Sequence, residues 1–286
     1  MGYLQQLLAR QPPDKLYHYT SVEGIAGILH GRSVRATVVH YLNDSQEFRH
    51  AFGVARSIIS RKTAGASDND LTLLLSHLSA SLERIEHVRI AVFSLTEEGD
   101  LLSQWRGYCP PGGGYSIAFS PTFLRSSLEK HGFFLAPCTY QDFEHQALVE
   151  EVVDHTVETF QSVKKTWGGS FDELKERILS AFFYPFSRVA PVIKHRSFAE
   201  EREWRIVSGP IANDNPHLNH RIGKSMLVPY YDLPLGGDGS TFAVEEIVVG
   251  PTPHQYIATD SLMSLLRREG VTWQSVKASR IPYRQL

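Results

Sequence analysis

Two glutamates and an arginine alternate in a short charged stretch of the chain. Glu201, Glu203 and Arg205 lie within residues 199–207, whose second half is apolar and typical of a strand entering a core. Because side chains alternate along a strand, these three would share one face, with Trp204 on the other. Unpaired charges are costly to bury. The row therefore indicates either a carboxylate site, in which Arg205 keeps one glutamate ionised, or a solvated edge strand with a salt bridge.

A second polar group lies near the start of the chain. His18 falls within a strand predicted over residues 15–19, and residues 20–23 (Thr-Ser-Val-Glu) form a capping box that predicts a helix start directly after it. We expect that helix to end at Gly31. Strand ends that feed helix N-termini commonly bind ligands. A single histidine among aromatic residues is also compatible with a structural role, so both interpretations of His18 stand.

A third group combines glycines with tyrosines. Residues 112–114 are all glycine and lead directly into a predicted strand, Tyr115–Phe119, while residues 103–108 form a polar and aromatic run that ends at Tyr108. Glycine lets the backbone approach a ligand closely, although a hairpin loop would use the same residues.

Several other chemistries lack their sequence patterns. The glycines of residues 112–114 have neither dinucleotide-binding nor phosphate-loop spacing, and no serine-hydrolase elbow is present. His217 and His220 lie in a polar loop without a carboxylate cluster, so we predict no metal site. Residues 194–196 (Lys-His-Arg) offer three donors for a phosphate, but such clusters are also typical of a solvated face.

The composition is that of an ordinary globular protein. The chain has 286 residues, is 42% hydrophobic and carries a formal net charge of −2, which favours neither nucleic acid nor a membrane surface. No run approaches the length of a membrane span and no signal peptide is evident, so we expect a soluble, cytoplasmic protein without a membrane partner. We expect its two cysteines, Cys109 and Cys138, to be reduced.

Predicted strands outnumber predicted helices and do not alternate with them one to one. This pattern favours an α+β fold over a doubly wound parallel sheet. We expect a single domain over residues 1–286, in which a helical block, residues 141–191, is inserted between strands of the sheet.

Five motifs together resemble a bacterial family, domain of unknown function family 2971. They are Leu16-Tyr17-His18-Tyr19-Thr20-Ser21, Tyr41-Leu42-Asn43-Asp44 with Glu47-Phe48, Ser103-Gln104-Trp105 with Tyr108, Gly114-Tyr115-Ser116-Ile117-Ala118-Phe119 and Glu201-Arg202-Glu203-Trp204-Arg205. That family in turn is similar to the ADP-ribosyltransferase superfamily, whose sites combine His, Tyr and Glu on three strands. The resemblance implies a split β-sheet core with flanking helices and NAD as co-substrate.

The resemblance also implies a role for each matching residue. His18 would bind the nicotinamide ribose, and Tyr115 would stack on the nicotinamide ring, with Tyr108 competing for that role. Glu203 would stabilise the positive charge that develops as nicotinamide leaves, and Glu201 would activate the acceptor.

Three further residues are expected to surround the cofactor, namely Tyr19, Thr20 and Arg205. Tyr19 stands where several superfamily branches carry a small residue, so the approach of the cofactor would differ here.

Three functions follow as alternatives. The first is transfer of ADP-ribose to a macromolecule, with protein, RNA and DNA all open as acceptors, in a toxin or an anti-phage effector. The second is hydrolysis of NAD with water as acceptor. The third is a non-catalytic module that binds a nucleotide or a protein on the same scaffold.

Overall fold

Ten strands in the described part of the chain form one branched sheet with helices packed against it. The computed structural model describes residues 2–42, 45–109, 113–236 and 242–282, without the side chains of residues 45–47 and 85–86. The strands are β1 (Leu16–Thr20), β2 (Ser33–Val38), β3 (Ala91–Thr96), β4 (Tyr115–Phe119), β5 (Phe133–Pro137), β6 (Glu203–Ser208), β7 (Leu218–Ile222), β8 (Leu227–Pro234), β9 (Ala243–Val249) and β10 (Thr272–Ala278). The helices are α1 (Tyr3–Ala9), α2 (Val22–Gly31), α3 (Ser45–Ala64), α4 (Asn69–Glu86), α5 (Leu102–Tyr108), α6 (Pro121–Leu128), α7 (Asp142–Lys164), α8 (Phe171–Val189) and α9 (Gln255–Arg268).

The sheet branches at β3, which pairs with three other strands. Strand β6 occupies one edge of β3 along residues 92–96. On the other edge, β2 pairs at Ala91 and Val92, and β1 pairs at Thr96 through the single residue Tyr17. The register places no strand partner opposite residues 93–95 on that edge within the described chain. We call this gap between β1 and β2 the fork.

From the fork the sheet continues in two directions. Strand β1 leads to β4, β9 and β10, and β2 leads to β8 and β7. Strands β9 and β10 pair in parallel, and the other pairs are antiparallel. The predicted α+β architecture, a central mixed sheet with flanking helices, is thereby confirmed.

Helices cover both faces of the sheet. On one face α3, α4, α7 and α8 share an apolar core with Val92, Ala136 and Val207 of β3, β5 and β6. On the other face α2, α6 and α9 pack on Ile117, Ile206 and their neighbours. The predicted insertion at residues 141–191 thus contributes two helices of a four-helix layer, because the apolar stripes of α7 and α8 are buried against α3 and α4.

Some predicted element ends are shifted. Ser21, rather than Thr20, caps α2 by accepting a 3.0 Å hydrogen bond from the backbone N–H of Gly24. The helix includes Gly31 as its last residue, and the C-cap residue Arg32 adopts a left-handed conformation (φ 48°). Asn43 and Asp44, which directly precede α3 and are residue types that favour a helix cap, lie outside the described residues. Strand β7 lies in a segment that was predicted to be a polar loop. In the described part of the chain, no helix is long and apolar enough to cross a membrane.

A buried carboxylate joins the β1 end of the sheet to β9 and β10. Glu246 on β9 accepts hydrogen bonds from Lys15 Nζ at 3.1 Å, Lys277 Nζ at 2.6 Å, Tyr17 Oη at 3.0 Å and Ser275 Oγ at 3.0 Å. Burial alone would raise the pKa of Glu246, but these hydrogen bonds, led by that of Lys277, lower it to about 2.

Replacing Glu246 by Gln should lower stability in a pH-dependent way. Because the pKa of Glu246 falls from 4.5 to about 2 on folding, its stabilising effect is complete above pH 4.5 and is lost as the pH falls through 2. We expect the difference in free energy of unfolding between wild type and Glu246→Gln to be large near neutral pH and to narrow in that window. Denaturant titrations at a series of pH values measure it, with the exposed Glu158→Gln as control. A difference that does not change with pH would contradict this assignment.

Candidate active site

The carboxylate of Glu203 is buried and bound by two cations. Arg205 donates from Nε to Glu203 Oε1 at 2.8 Å and from Nη2 to Oε2 at 3.2 Å. Lys194 Nζ donates to Glu203 Oε2 and, at 2.6 Å, to Glu201 Oε2. Glu203, Arg205 and Lys194 are only 4%, 3% and 1% exposed. Together with Glu201, these residues form a group of four that we call the charge cluster. It contains two negative and two positive side chains, so their charges cancel.

Lys194 is also a member of this site, although the sequence indicated it only as a donor to a phosphate or as part of a solvated face. Burial alone would lower the pKa of Lys194, but the Glu203 carboxylate, Cys138 and the hydrogen bond to Glu201 together outweigh burial and raise the pKa, so the ammonium stays charged. Its backbone N–H donates to Thr139 O at 2.9 Å. Only His195 and Arg196 of the Lys-His-Arg run are exposed. The interpretation of this run as a solvated face is therefore wrong for Lys194.

Glu201 reaches the cluster by a different route from the one predicted. It ends a short 3₁₀ helix, Arg196–Glu201, and Arg202 then adopts a left-handed conformation (φ 41°), so β6 begins only at Glu203. The prediction of one strand row through Glu201 is wrong, whereas Glu203 and Arg205 do share a face. Trp204 faces the opposite core, as predicted.

The backbone of Glu203 is also held on both sides. Its carbonyl accepts from the N–H of Cys138 at 2.8 Å, and its own N–H donates to Tyr140 Oη at 2.7 Å. Burial raises the pKa of Tyr140, so its hydroxyl stays protonated. Residues 138–140 therefore fix the position of Glu203 relative to β5.

His18 fills the fork. After Tyr17 the ladder between β1 and β3 stops, and His18 Nδ1 instead lies 3.0 Å from Ser94 O. The imidazole packs on the ring of Phe93 with centroids 4.2 Å apart. Burial lowers the pKa of His18 to about 4, which keeps the ring neutral near pH 7. Because a carbonyl only accepts, Nδ1 carries the proton and Nε2 is left as an acceptor.

A small cavity of about 50 Å³ opens beside the fork. It brings together five of the residues predicted for the site, His18, Tyr19, Tyr108, Glu201 and Glu203. The remaining lining residues are Tyr17, Ser94, Leu95, Thr96 and Gln104. We call it the fork cavity. Gln104 was not predicted, although it lies in the polar and aromatic run that was.

Tyr19 positions the helix that carries Tyr108. Its hydroxyl donates to Glu98 O and accepts from the backbone N–H of Leu101, both at 2.8 Å. Its ring meets the edge of Trp105 on α5 with centroids 4.6 Å apart. The side chain of Tyr19 is thus used to hold α5 against β1.

Three of the predicted site residues, Thr20, Tyr115 and Arg205, do not line the fork cavity. Arg205 lies behind Glu203 and donates to Pro191 O at 2.7 Å, which supports a positioning role. Tyr115 pairs with Thr20 on the face opposite Glu203 and is 8% exposed in an apolar core. Of the two candidate tyrosines, the structure therefore brings Tyr108 to Glu203. Gly112, the first of the three glycines expected to let the backbone approach a ligand, lies outside the described residues.

A larger cavity of about 330 Å³ lies on that opposite face. Thr20 and His18 line it together with Arg35, Tyr230 and Asp232 from β2 and β8. Because His18 lines both cavities, they meet at the fork. A group of residues that could hold a metal, His50, Asp142 and His145, lies apart from both cavities.

Removing Lys194 should destabilise the protein, because it leaves the charge cluster with an excess of buried negative charge. Lys194→Met leaves two carboxylates against one guanidinium, and breaking a buried ion pair costs about 3–5 kcal/mol. Adding Glu201→Gln restores charge balance around the intact Glu203–Arg205 pair, so we expect the double variant to be more stable than Lys194→Met alone. Denaturant unfolding measures both, with the exposed Lys165→Met as control. Equal stability of Lys194→Met and wild type would contradict the cluster.

Part of the chain matches a described family. Residues 104–206 match the model of a family described as a protein of unknown function (DUF2971). No curated protein and no solved structure was found to match the chain. The matched residues run from α5 into β6 and include Tyr108 and the whole charge cluster, whereas His18 precedes them. Over this stretch the chain is similar to a family whose function is not described.

Proposed function

We propose that the fork cavity binds the nicotinamide and adjacent ribose of NAD, and that the protein transfers ADP-ribose to a macromolecule. One observation carries the proposal. His18, Tyr108 and Glu203, which are distant in sequence, line the same cavity. They supply a polar imidazole, an aromatic ring and an ionised carboxylate, the three groups that this chemistry requires.

The carboxylate of Glu203 suits the bond that breaks. As the bond between ribose C1′ and the nicotinamide nitrogen breaks, its electron pair leaves with neutral nicotinamide and positive charge develops on the ribose. A preorganised carboxylate stabilises that charge. Arg205 and Lys194 favour the ionised form of Glu203 and fix its orientation.

His18 suits the binding of the ribose, and Tyr108 suits the binding of the nicotinamide ring. The unprotonated Nε2 of His18 is available to accept a hydrogen bond from a ribose hydroxyl, because Nδ1 is used by Ser94 O. Tyr108 is 45% exposed and offers a ring face for stacking on nicotinamide.

Glu201 suits the acceptor. Its side chain is 16% exposed, against 4% for Glu203, so it is the more accessible of the two carboxylates. In the proposed reaction Glu201 takes the proton from the acceptor nucleophile, whose electron pair forms the new bond to C1′. Water as nucleophile would give hydrolysis instead, and the experiments below separate the two.

Binding requires the fork cavity to widen. Ligand pockets typically measure about 300–1,000 Å³, whereas this one measures about 50 Å³. Tyr108 at the exposed end of α5 is the lining side chain best placed to move. We therefore expect closure of its ring on nicotinamide to accompany binding.

Truncating Tyr108 should weaken NAD use without unfolding the protein. Stacking of an aromatic side chain on a base contributes about 1–3 kcal/mol, so we expect Tyr108→Ala to lower kcat/KM for nicotinamide release roughly tenfold to a hundredfold. Tyr108→Phe, which keeps the ring, should retain most activity, and Tyr115→Phe serves as the matched control. Release rates equal to wild type in Tyr108→Ala, or absence of NAD binding to the wild type, would contradict the proposal.

Replacing Glu201 by Gln should abolish transfer while NAD still binds. Loss of a general base lowers rates by about 10²–10⁴-fold, and we expect this loss in the labelling of cell lysate by labelled NAD. The neighbouring exposed Glu200→Gln is the control. Nicotinamide release by the wild type without any labelled acceptor would show hydrolysis instead of transfer. Unchanged labelling by Glu201→Gln would remove Glu201 from the mechanism.

A further inference from the structure

Two helices bring two histidines and an aspartate together away from the fork cavity. His50 on α3 meets Asp142 and His145, which are three residues apart on the first turns of α7. One ligand atom from each residue lies within 4.8 Å of the other two. His50 and Asp142 are exposed, and His145 is 1% exposed.

The orientation of His145 leaves one buried nitrogen without a partner. Its Nε2 lies 2.8 Å from Thr139 O, so Nε2 carries the proton and Nδ1 has a free lone pair. Nδ1 is buried and makes no hydrogen bond within the described part of the protein. It lies 3.9 Å from Asp142 Oδ1, and the ring centroids of His145 and His50 are 5.7 Å apart. An unsatisfied buried acceptor is costly, so this arrangement calls for a ligand.

We propose that His50, Asp142 and His145 bind a divalent transition-metal ion, for which Zn²⁺ is the best match. Two imidazole nitrogens and one carboxylate oxygen are a ligand set that zinc accepts, while Ca²⁺ and Mg²⁺ prefer oxygen alone. The hydrogen bond from His145 Nε2 to a backbone carbonyl is the support that metal-binding histidines usually have. The fourth position would face solvent.

The geometry requires only small movements of exposed side chains. Zinc bonds of about 2.0–2.2 Å in a tetrahedron place ligand atoms roughly 3.3 Å apart. His50 and Asp142 can close the present separations by side-chain rotation, because both lie at the surface. The positive N-terminal end of α7 opposes a cation, but Asp142 supplies a full negative charge there.

The neighbouring charges are already in use. Glu144 accepts from Thr139 Oγ1 with one carboxylate oxygen and from Arg10 Nη2, at 3.0 Å, with the other, so both of its oxygens already have partners. Thr139 also links the two sites, since its carbonyl accepts from both His145 and the backbone N–H of Lys194. A metal on His145 would therefore steady the segment that holds the charge cluster. This inference does not depend on the proposed NAD chemistry.

The experiment is a metal titration of the full chain, purified without a histidine tag and stripped of metal. We expect Zn²⁺ to bind at one high-affinity site per chain by calorimetry, and Co²⁺ to give the absorption bands of a low-coordinate site. His50→Ala and Asp142→Asn should each weaken Zn²⁺ binding by at least about tenfold. Because both side chains are exposed, neither variant should alter the far-ultraviolet circular dichroism.

The control is His155→Ala, which removes an exposed histidine from the same helix and should leave the affinity unchanged. The chain has 13 histidines, and nonspecific binding of Zn²⁺ to them would make His155→Ala and His50→Ala change the affinity equally. That result would overturn the proposal. It would also be overturned if Zn²⁺ showed no saturable binding, or if His50→Ala and Asp142→Asn bound it as tightly as wild type. Folding defects are separated from ligand loss by the Tm of each variant without metal.

Discussion

The need to neutralise a buried carboxylate organises the centre of this protein. Glu203 lies on a strand covered by helices, where an unpaired charge would be prohibitively costly. Its two cations come from different directions, Arg205 from the same strand and Lys194 from the segment that follows α8. The segment that carries Lys194 must therefore lie close to β6. Residues 138–140 hold the two together, because Cys138 and Tyr140 bond the backbone of Glu203 and Thr139 bonds the backbone of Lys194. Replacing a buried ion cluster by apolar residues is often neutral or stabilising. The presence of the charge cluster next to a cavity therefore fits a chemical role better than a purely structural one.

The second constraint is the fork. Strand β3 has one edge to share between β1 and β2, so the backbone ladder is interrupted where they diverge. The side chain of His18 replaces the missing ladder contact by bonding Ser94 O. Neutral and oriented by that bond, the imidazole stands between two cavities on opposite faces. Tyr19, the next residue, holds α5 and hence Tyr108 over the opening. Branching of the sheet thus creates the site and supplies its walls.

Local features were predictable from the sequence, and long-range ones were not. The alternation of side chains correctly predicted that Glu203 and Arg205 share one face of the strand and that Trp204 lies on the other, because that pattern depends only on the strand itself. The break at Arg202 depends on a left-handed residue that no local rule for arginine indicates. The burial of Lys194, and the position of Tyr108 rather than Tyr115 at the fork cavity, depend on contacts between distant parts of the chain. The same holds for His50, Asp142 and His145, which no spacing rule connects.

The most direct test of the central claim is hydrogen–deuterium exchange of the whole protein with and without NAD. If NAD occupies the fork cavity, backbone exchange should slow in β1, at the fork residues of β3 and in α5, because these segments line the cavity and close on the ligand. Unchanged exchange in all three segments at millimolar NAD would contradict the account. Protection confined to α2 and β8, which line the larger cavity, would place the ligand on the wrong face of the sheet for Glu203 to act.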